Sequence, residues 1–304
     1  MNTQIIDRQK LEAAYITFST LFDMQLTKTP TIFQDIATVI PVASTVTQFK
    51  WLGDVPKMTE WIGQRAINKL QAETHQISTK DWANGIEVGR DELADDSLGL
   101  VEPRITALAQ EGMWKMEDLV MDFFNDGIAG TLGLAYDGQP LYDDAHTASG
   151  SGGTPQDNLM SSTSQALATA SYQEAWEKIM GFVDTKGESL RIIPDTLLVG
   201  VGNRTVARTI LNSEIISNST NIEKGTTRLI VHPRVSGLRW HLLSTAQSVR
   251  AVILLVRQSA QFAAVDSFSD SHAFMNATFL YGADARFGAG IGLWQTAIGS
   301  DGVN

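Results

Sequence analysis

The chain has 304 residues, 43% of them hydrophobic, with 34 acidic against 23 basic side chains, a formal net charge of -11 and no cysteine. That apolar content is ample for a buried core and more than one lobe. The acidic balance disfavours a tight, sequence-independent grip on nucleic acid, which needs a basic face. The missing cysteines exclude disulfides, thiolate nucleophiles and cysteine-ligated metals.

Leu11, Tyr15, Phe18 and Phe22 recur at helical spacing, which predicts a short amphipathic helix over 7–26, ahead of any domain. Thr29-Pro30 and Ile40-Pro41 then break the chain into extended pieces. The apolar face of that detached helix requires cover, either from its own body or from a neighbour. The first residues, MNTQIIDRQKLEAA, hold no signal core, and the longest aliphatic run, Ala251 to Val256, is far too short to span a bilayer. Synthesis and first action in a cytoplasm are expected.

Residues 42–90 carry two β-like flanks, around Val46–Leu52 and Ile86–Leu93, with a turn-rich middle between them. Trp51, Trp61 and Trp82 are interleaved there with Lys57, Arg65, Lys69 and Lys80. An extension of this length is uncommon unless it has a task. It reads either as a satellite core beneath a loop or as a protruding hairpin whose aromatics and arginine anchor on another subunit.

From Ser97 to Gly127, Val101, Ile105, Leu108, Gly112, Met116, Leu119 and Phe123 fall on one helical face. Asp95, Asp96 and Ser97 offer N-cap oxygens, and Asn125-Asp126-Gly127 offers a left-handed stop. About two dozen residues at 1.5 Å each make a rod of roughly 35 Å, expected to lie across a sheet as a spine. Residues 132–160 are rich in Gly, Ser, Asp and Pro and read as a surface insertion. Its Asp143, Asp144 and His146 are metal-ligand types, but they also serve as turn-forming residues.

Tyr172, Trp176, Ile179 and Val183 predict a helix over 171–184. A strand at 196–202 follows, and then a helix through Ala207, Ile210 and Leu211 that Asn203 can cap. From Arg228 onward strands dominate, and Phe274, Asn276, Thr278 and Leu280 alternate with Met275, Ala277, Phe279 and Tyr281 as in a half-buried strand. Gly288, Gly290 and Gly292 sit inside strand sequence, which suits a bulge or close backbone approach better than a nucleotide loop. No GxSxG, HExxH or phosphate-loop pattern occurs, and His75, His146, His232, His241 and His272 are scattered. No catalytic residue, metal or cofactor is therefore assigned, and the protein is expected not to be an enzyme.

Specific blocks resemble a known family. They are Phe49-Lys50-Trp51-Leu52-Gly53, Pro56 with Met58, Glu60-Trp61-Ile62-Gly63 with Arg65, then Val88, Arg90-Asp91, Asp95-Asp96 and Gly99. Tyr136-Asp137-Gly138-Gln139-Pro140 with Asp144 and His146 completes the set. In this order, over about half the chain, they are similar to the major head subunit of Mu-type tailed bacteriophages. Leu141-Tyr142 departs mildly from the aromatic pair that family members often carry there.

The resemblance implies an α+β chain with the tailed-phage major capsid fold of the Hong Kong 97 type. Its parts would be an N-terminal arm at 1–45, an extended loop at 46–85, and a peripheral strand with the spine helix at 86–130. An axial domain at 131–265 would hold the 132–160 insertion, and C-terminal strands at 266–304 would return to the peripheral domain. It also implies pentamers and hexamers in an icosahedral shell around double-stranded DNA, a separate scaffold protein, a portal at one vertex, decoration proteins and no membrane. Phe18, Phe22, Trp51, Met58, Trp61, Arg65 and Arg90 are the expected inter-subunit contacts. Cross-linking, known in some relatives of the fold, would draw on Lys57, Lys69 or Lys80 with Asn276, though nothing in the sequence demands it. Two rivals are an encapsulin-like compartment packaging enzyme cargo, and a metal-dependent hydrolase built on Asp143, Asp144 and His146.

Overall fold

One long helix serves two four-stranded sheets. The computed structural model describes residues 8–49, 75–95, 99–147, 154–160, 165–184, 187–216 and 218–303. In chain order, α1 (Arg8–Lys28) and α2 (Phe33–Ile36) precede β1 (Ala37–Pro41), β2 (Val46–Phe49), β3 (His75–Ser78) and β4 (Lys80–Gly89). The short α3 (Arg90–Ala94) leads to the spine, α4 (Val101–Asn125). Then come α5 (Thr169–Gly181), β5 (Thr196–Val199), α6 (Arg204–Asn212), β6 (Ile215–Ile216) and β7 (Ser219–Thr220). The chain closes through β8 (Arg228–Val231), β9 (Trp240–Leu243), β10 (Val252–Val265), α7 (Ser271–Asn276), β11 (Thr278–Ile291) and β12 (Ala297–Ser300).

The peripheral sheet has the order β1-β10-β11-β4 and the axial sheet β12-β9-β5-β8. The expected 265/266 boundary does not match this pairing. The aliphatic run Val252–Leu255 is fully buried and forms a central strand, parallel to β1 and antiparallel to β11. The chain therefore re-enters the peripheral sheet at β10, while the last strand, β12, pairs with β9 in the axial sheet. The two flanks expected to bracket a hairpin also part company. β2 pairs with β3, whereas β4 runs unbroken across residue 85 alongside β11.

The spine buries Val101, Ile105, Leu108, Met116 and Phe123 as its spacing predicts, and also Ala109, Val120, Met121 and Phe124. The stripe widens because the C-terminal half is covered from two sides. Phe124 reaches His241 of β9, with ring centroids 5.4 Å apart. The helix ends at Asn125, where a stop was expected, but neither predicted cap forms. The helix starts after Leu100 with no side-chain cap, and the Asp95 N–H closes α3 on the Asp91 carbonyl. Asp126 stays right-handed, and its carboxylate accepts from the Leu132 N–H at 2.7 Å, so the chain turns later, at Gly130.

Among the described residues, no helix is long and apolar enough to cross a membrane.

Candidate inter-subunit surfaces

The arm finds its cover within the chain. Phe18 packs edge-on against Tyr281 at 5.2 Å, and Phe22 lies 5.6 Å from Phe262, which stacks on Tyr281 in turn. Both arm phenylalanines are buried there together with Leu11. Full burial of such a side chain contributes about 1.5–3 kcal/mol. Of the two covers open to α1, its own sheet and spine supply it, so Phe18 and Phe22 present no surface to a neighbour. The solvent side of α1 keeps Tyr15, Ile16 and Met24 exposed.

The strands that flank segment 50–74 cross the body at glycines. Phe49 and His75 are direct partners in the β2–β3 ladder and hold the two ends of segment 50–74 side by side. Phe49 and Ile77 join Val249, Ile253 and Leu255 in a small core of their own. The hairpin crosses the peripheral sheet where a Cβ on Gly288 would collide with the Ser78 carbonyl, and one on Gly290 would stand 2.6 Å from the Ile77 side chain. The close approach expected of these glycines is thus a strand crossing. His75 anchors it with a 2.8 Å hydrogen bond between Nε2 and the Ile291 carbonyl. Burial lowers the His75 pKa, and that bond offsets part of the shift. Trp51, Met58, Trp61 and Arg65, with Lys57 and Lys69, lie outside the described residues.

Arg90 opens α3 with an exposed side chain, and its N–H donates to the Ala277 carbonyl at 3.0 Å. The alternation read as strand over Phe274–Ala277 is instead α7, ended by Ala277 in the left-handed region at φ 55°. Local hydrogen bonds hold this turn: Asn276 Nδ2 to His272 Nδ1 at 3.1 Å, and His272 Nε2 to Thr278 Oγ1 at 3.1 Å. Thr278 Oγ1 in turn donates to the Glu87 carboxylate. As a helix, the segment leaves Phe274 82% and Met275 78% exposed.

Part of the insertion is built into the core. Leu141, Tyr142, His146, Asn158 and Met160 are buried. His146 does not converge with Asp143 and Asp144. Its Nδ1 meets Asp137 Oδ2 at 2.7 Å, its Nε2 approaches the Leu141 carbonyl, and its ring stacks on Trp294 at 4.3 Å. Asp143 Oδ1 accepts from the Ala145 N–H, while Asp144 is exposed. Asn158 Nδ2 lies within hydrogen-bond reach of the carbonyls of Leu141, Trp294 and Ala297, which ties the loop to the last strand. No metal-binding group of three acids or histidines forms among the described residues. The hydrolase reading loses its site: both imidazole nitrogens already face protein oxygens.

One junction escaped the sequence reading. Glu117, on the buried face of α4, accepts from the Ile32 N–H and contacts His232 Nε2 at 2.9 Å. Arm, spine and the exit of β8 meet at this carboxylate. Burial raises its pKa, but the His232 hydrogen bond and charge, with the backbone N–H groups of Ile32 and Phe33, outweigh it and leave it lowered. A turn further on, Arg234 bridges Asp118 at 2.8 Å and Asp122 at 3.1 Å. The signal available in the sequence was a lone acid beside Met116 on an otherwise apolar face.

The family model of the Mu-like prophage major head subunit gpT matches residues 11–166, 156–235 and 234–303, hence nearly the whole chain. The chain belongs to this family. Similar proteins include the Mu-like prophage FluMu major head subunit of Haemophilus influenzae, 26% identical over 94% of this chain and 71% of that protein. The major capsid protein of Escherichia phage Mu is 22% identical over 97% of this chain and 74% of its own length. Among solved structures, the procapsid of bacteriophage JBD30 superposes with a TM-score of 0.64 at 23% identity, covering 98% of this chain and 77% of that one. The head subunit thus has the phage capsid fold expected from its sequence blocks.

Proposed function

We propose that copies of this head subunit close into the icosahedral shell of a tailed-phage head. The family match spanning 11–303 carries this reading, because it takes in the arm, both sheets and the long loop together. The structure supports it physically. The residues flanking segment 50–74, Phe49 and His75, are paired at a glycine-lined crossing, which suits the assignment of that segment to contacts with a neighbouring copy. Many modest contacts repeated around closed symmetry make a shell nearly irreversible once complete. The finer assignments rest on this reading. Axial sheets of neighbouring copies meet in pentamers and hexamers. A separate scaffold, a portal at one vertex and decoration proteins complete the head. The shell is assembled in the host cytoplasm and encloses DNA without reading its sequence, which an acidic chain suits. The subunit works as a structural protein, not as an enzyme.

Trp51, Met58, Trp61 and Arg65 are the proposed loop anchors, since buried aromatics and arginines dominate most interfaces. Electron microscopy of the purified protein, expressed alone and with its scaffold, tests the proposal. Closed particles, or rings of five and six, are expected, and DNA rather than enzyme as the content separates a phage head from a cargo compartment. Trp61→Ala should abolish closed particles while leaving the subunit folded. A stable monomer under both conditions, or normal shells from the variant, would sink the respective claim.

A further inference from the structure

The two most exposed large apolar side chains among the described residues are neighbours, Phe274 and Met275. Their turn is internally braced. Ala277 closes it in the left-handed region, the His272–Asn276 and His272–Thr278 hydrogen bonds brace it, and the Arg90 N–H holds the Ala277 carbonyl. A preorganised apolar knob of this kind loses little entropy on docking. Beside it, the loop Asp266–Ser269 and the first turns of α1 enclose an open groove of about 760 Å³. Its apolar wall is Leu11, Tyr15, Ile16 and Phe268, and Phe268 is held edge-on against Phe279 at 5.8 Å. That volume falls within the range of roughly 300–1,000 Å³ that takes a few side chains or a small ligand.

We propose that the Phe274–Met275 knob of one head subunit seats in the α1–Phe268 groove of an adjacent copy. The inference rests on the shell reading, which supplies the occupant: another copy of this chain is the protein present in quantity beside every subunit. Charge favours the same pairing. Arg90 flanks the knob, exposed and in no ion pair among the described residues. Arg8, Glu12 and Asp266 line the groove; Arg8 pairs with Glu12 at 3.0 Å, which leaves Asp266, whose buried Oδ2 has no hydrogen-bond partner, as its uncompensated acid. Burial, with Asp270 nearby, raises the Asp266 pKa, so an incoming guanidinium would find a carboxylate in need of a cation. Knob and groove share one loop, so each copy both gives and receives, as a closed symmetric contact requires.

The absence of cysteine makes a direct test possible. Ile16→Cys with Met275→Cys, in the full chain assembled into particles, should form disulfide-linked multimers on a non-reducing gel under mild oxidation. Either single variant should form none beyond a simple dimer. Phe274→Asp should leave the melting temperature unchanged, because that side chain touches little of its own subunit, and should cut particle yield by roughly tenfold or more. Particles of the double-cysteine chain with no cross-link, or with one confined to single chains, would overturn the proposal, as would wild-type yield from Phe274→Asp. Failure of the wild-type chain to form particles at all would instead overturn the shell reading beneath it.

Discussion

His241 offers a stability measurement whose size follows from its surroundings. The residue sits in β9, 1% exposed, between the rings of Phe124 and Tyr142, each with its centroid 5.4 Å away. Neither ring nitrogen has a protein hydrogen-bond partner. Burial, reinforced by the positive charge of Arg239, pushes its pKa down to about 3. The ordinary value is about 6.5, so the unfolded chain takes up a proton in acid that the folded chain refuses. This residue therefore contributes no pH dependence above about pH 6.5 and costs stability below it. The loss is about 1.4 kcal/mol per pH unit between the two pKa values, hence about 2 kcal/mol at pH 5 and about 4 kcal/mol at about pH 3, where it levels off. His241→Phe keeps an aromatic ring between the same neighbours and removes the titration. Urea denaturation of unassembled wild-type and variant subunits at about pH 7 and about pH 5 should show their stability difference moving by about 2 kcal/mol in the variant's favour. Carboxylate titrations are common to both chains and cancel in this comparison. A difference that stays constant between the two pH values would refute the buried, neutral imidazole.

Glu117→Gln should destabilise the subunit by about 1–3 kcal/mol, because the amide has one acceptor oxygen where Ile32 N–H and His232 require two. Its folded pKa lies below the ordinary carboxylate value, so the stability it confers is present above the unfolded pKa and is lost as pH falls through the folded one. Urea midpoints together with proteolytic cleavage of α1 are the readout, and an unchanged arm in the variant would count against the junction. Gly290→Val should displace Ile77 and loosen the loop base at a cost of about 1–3 kcal/mol. Hydrogen exchange at Gln76–Ser78 should then accelerate, and wild-type protection there would argue that β3 does not cross at this glycine.

Local rules made much of this protein legible. The spacing of Val101, Ile105, Leu108, Met116 and Phe123 determined the spine, because helical periodicity is written in the chain itself. The same holds for α1, for α5 with Tyr172 and Ile179 inward, and for the run Val252–Leu255, whose length and aliphatic content suit a strand buried on both faces. The family blocks, short and in a fixed order, point to the phage capsid fold by themselves.

Other features depend on what lies opposite in space, which no window of sequence contains. Phe274–Ala277 alternates like a strand, yet a left-handed Ala277 and the bonds of His272 make it a helix that turns its apolar side chains outward. Asp143, Asp144 and His146 are neighbours in sequence but not in chemistry, because Asp137 and Trp294 claim the imidazole. The arm's cover, the crossing over Gly288 and Gly290, and the meeting of Ile32, Glu117 and His232 join residues up to hundreds of positions apart. Sequence determined which stretches carry an apolar face in need of cover. Only the packed tertiary structure decided which partners would supply it, because burial is a property of surfaces brought together and not of residues in a row.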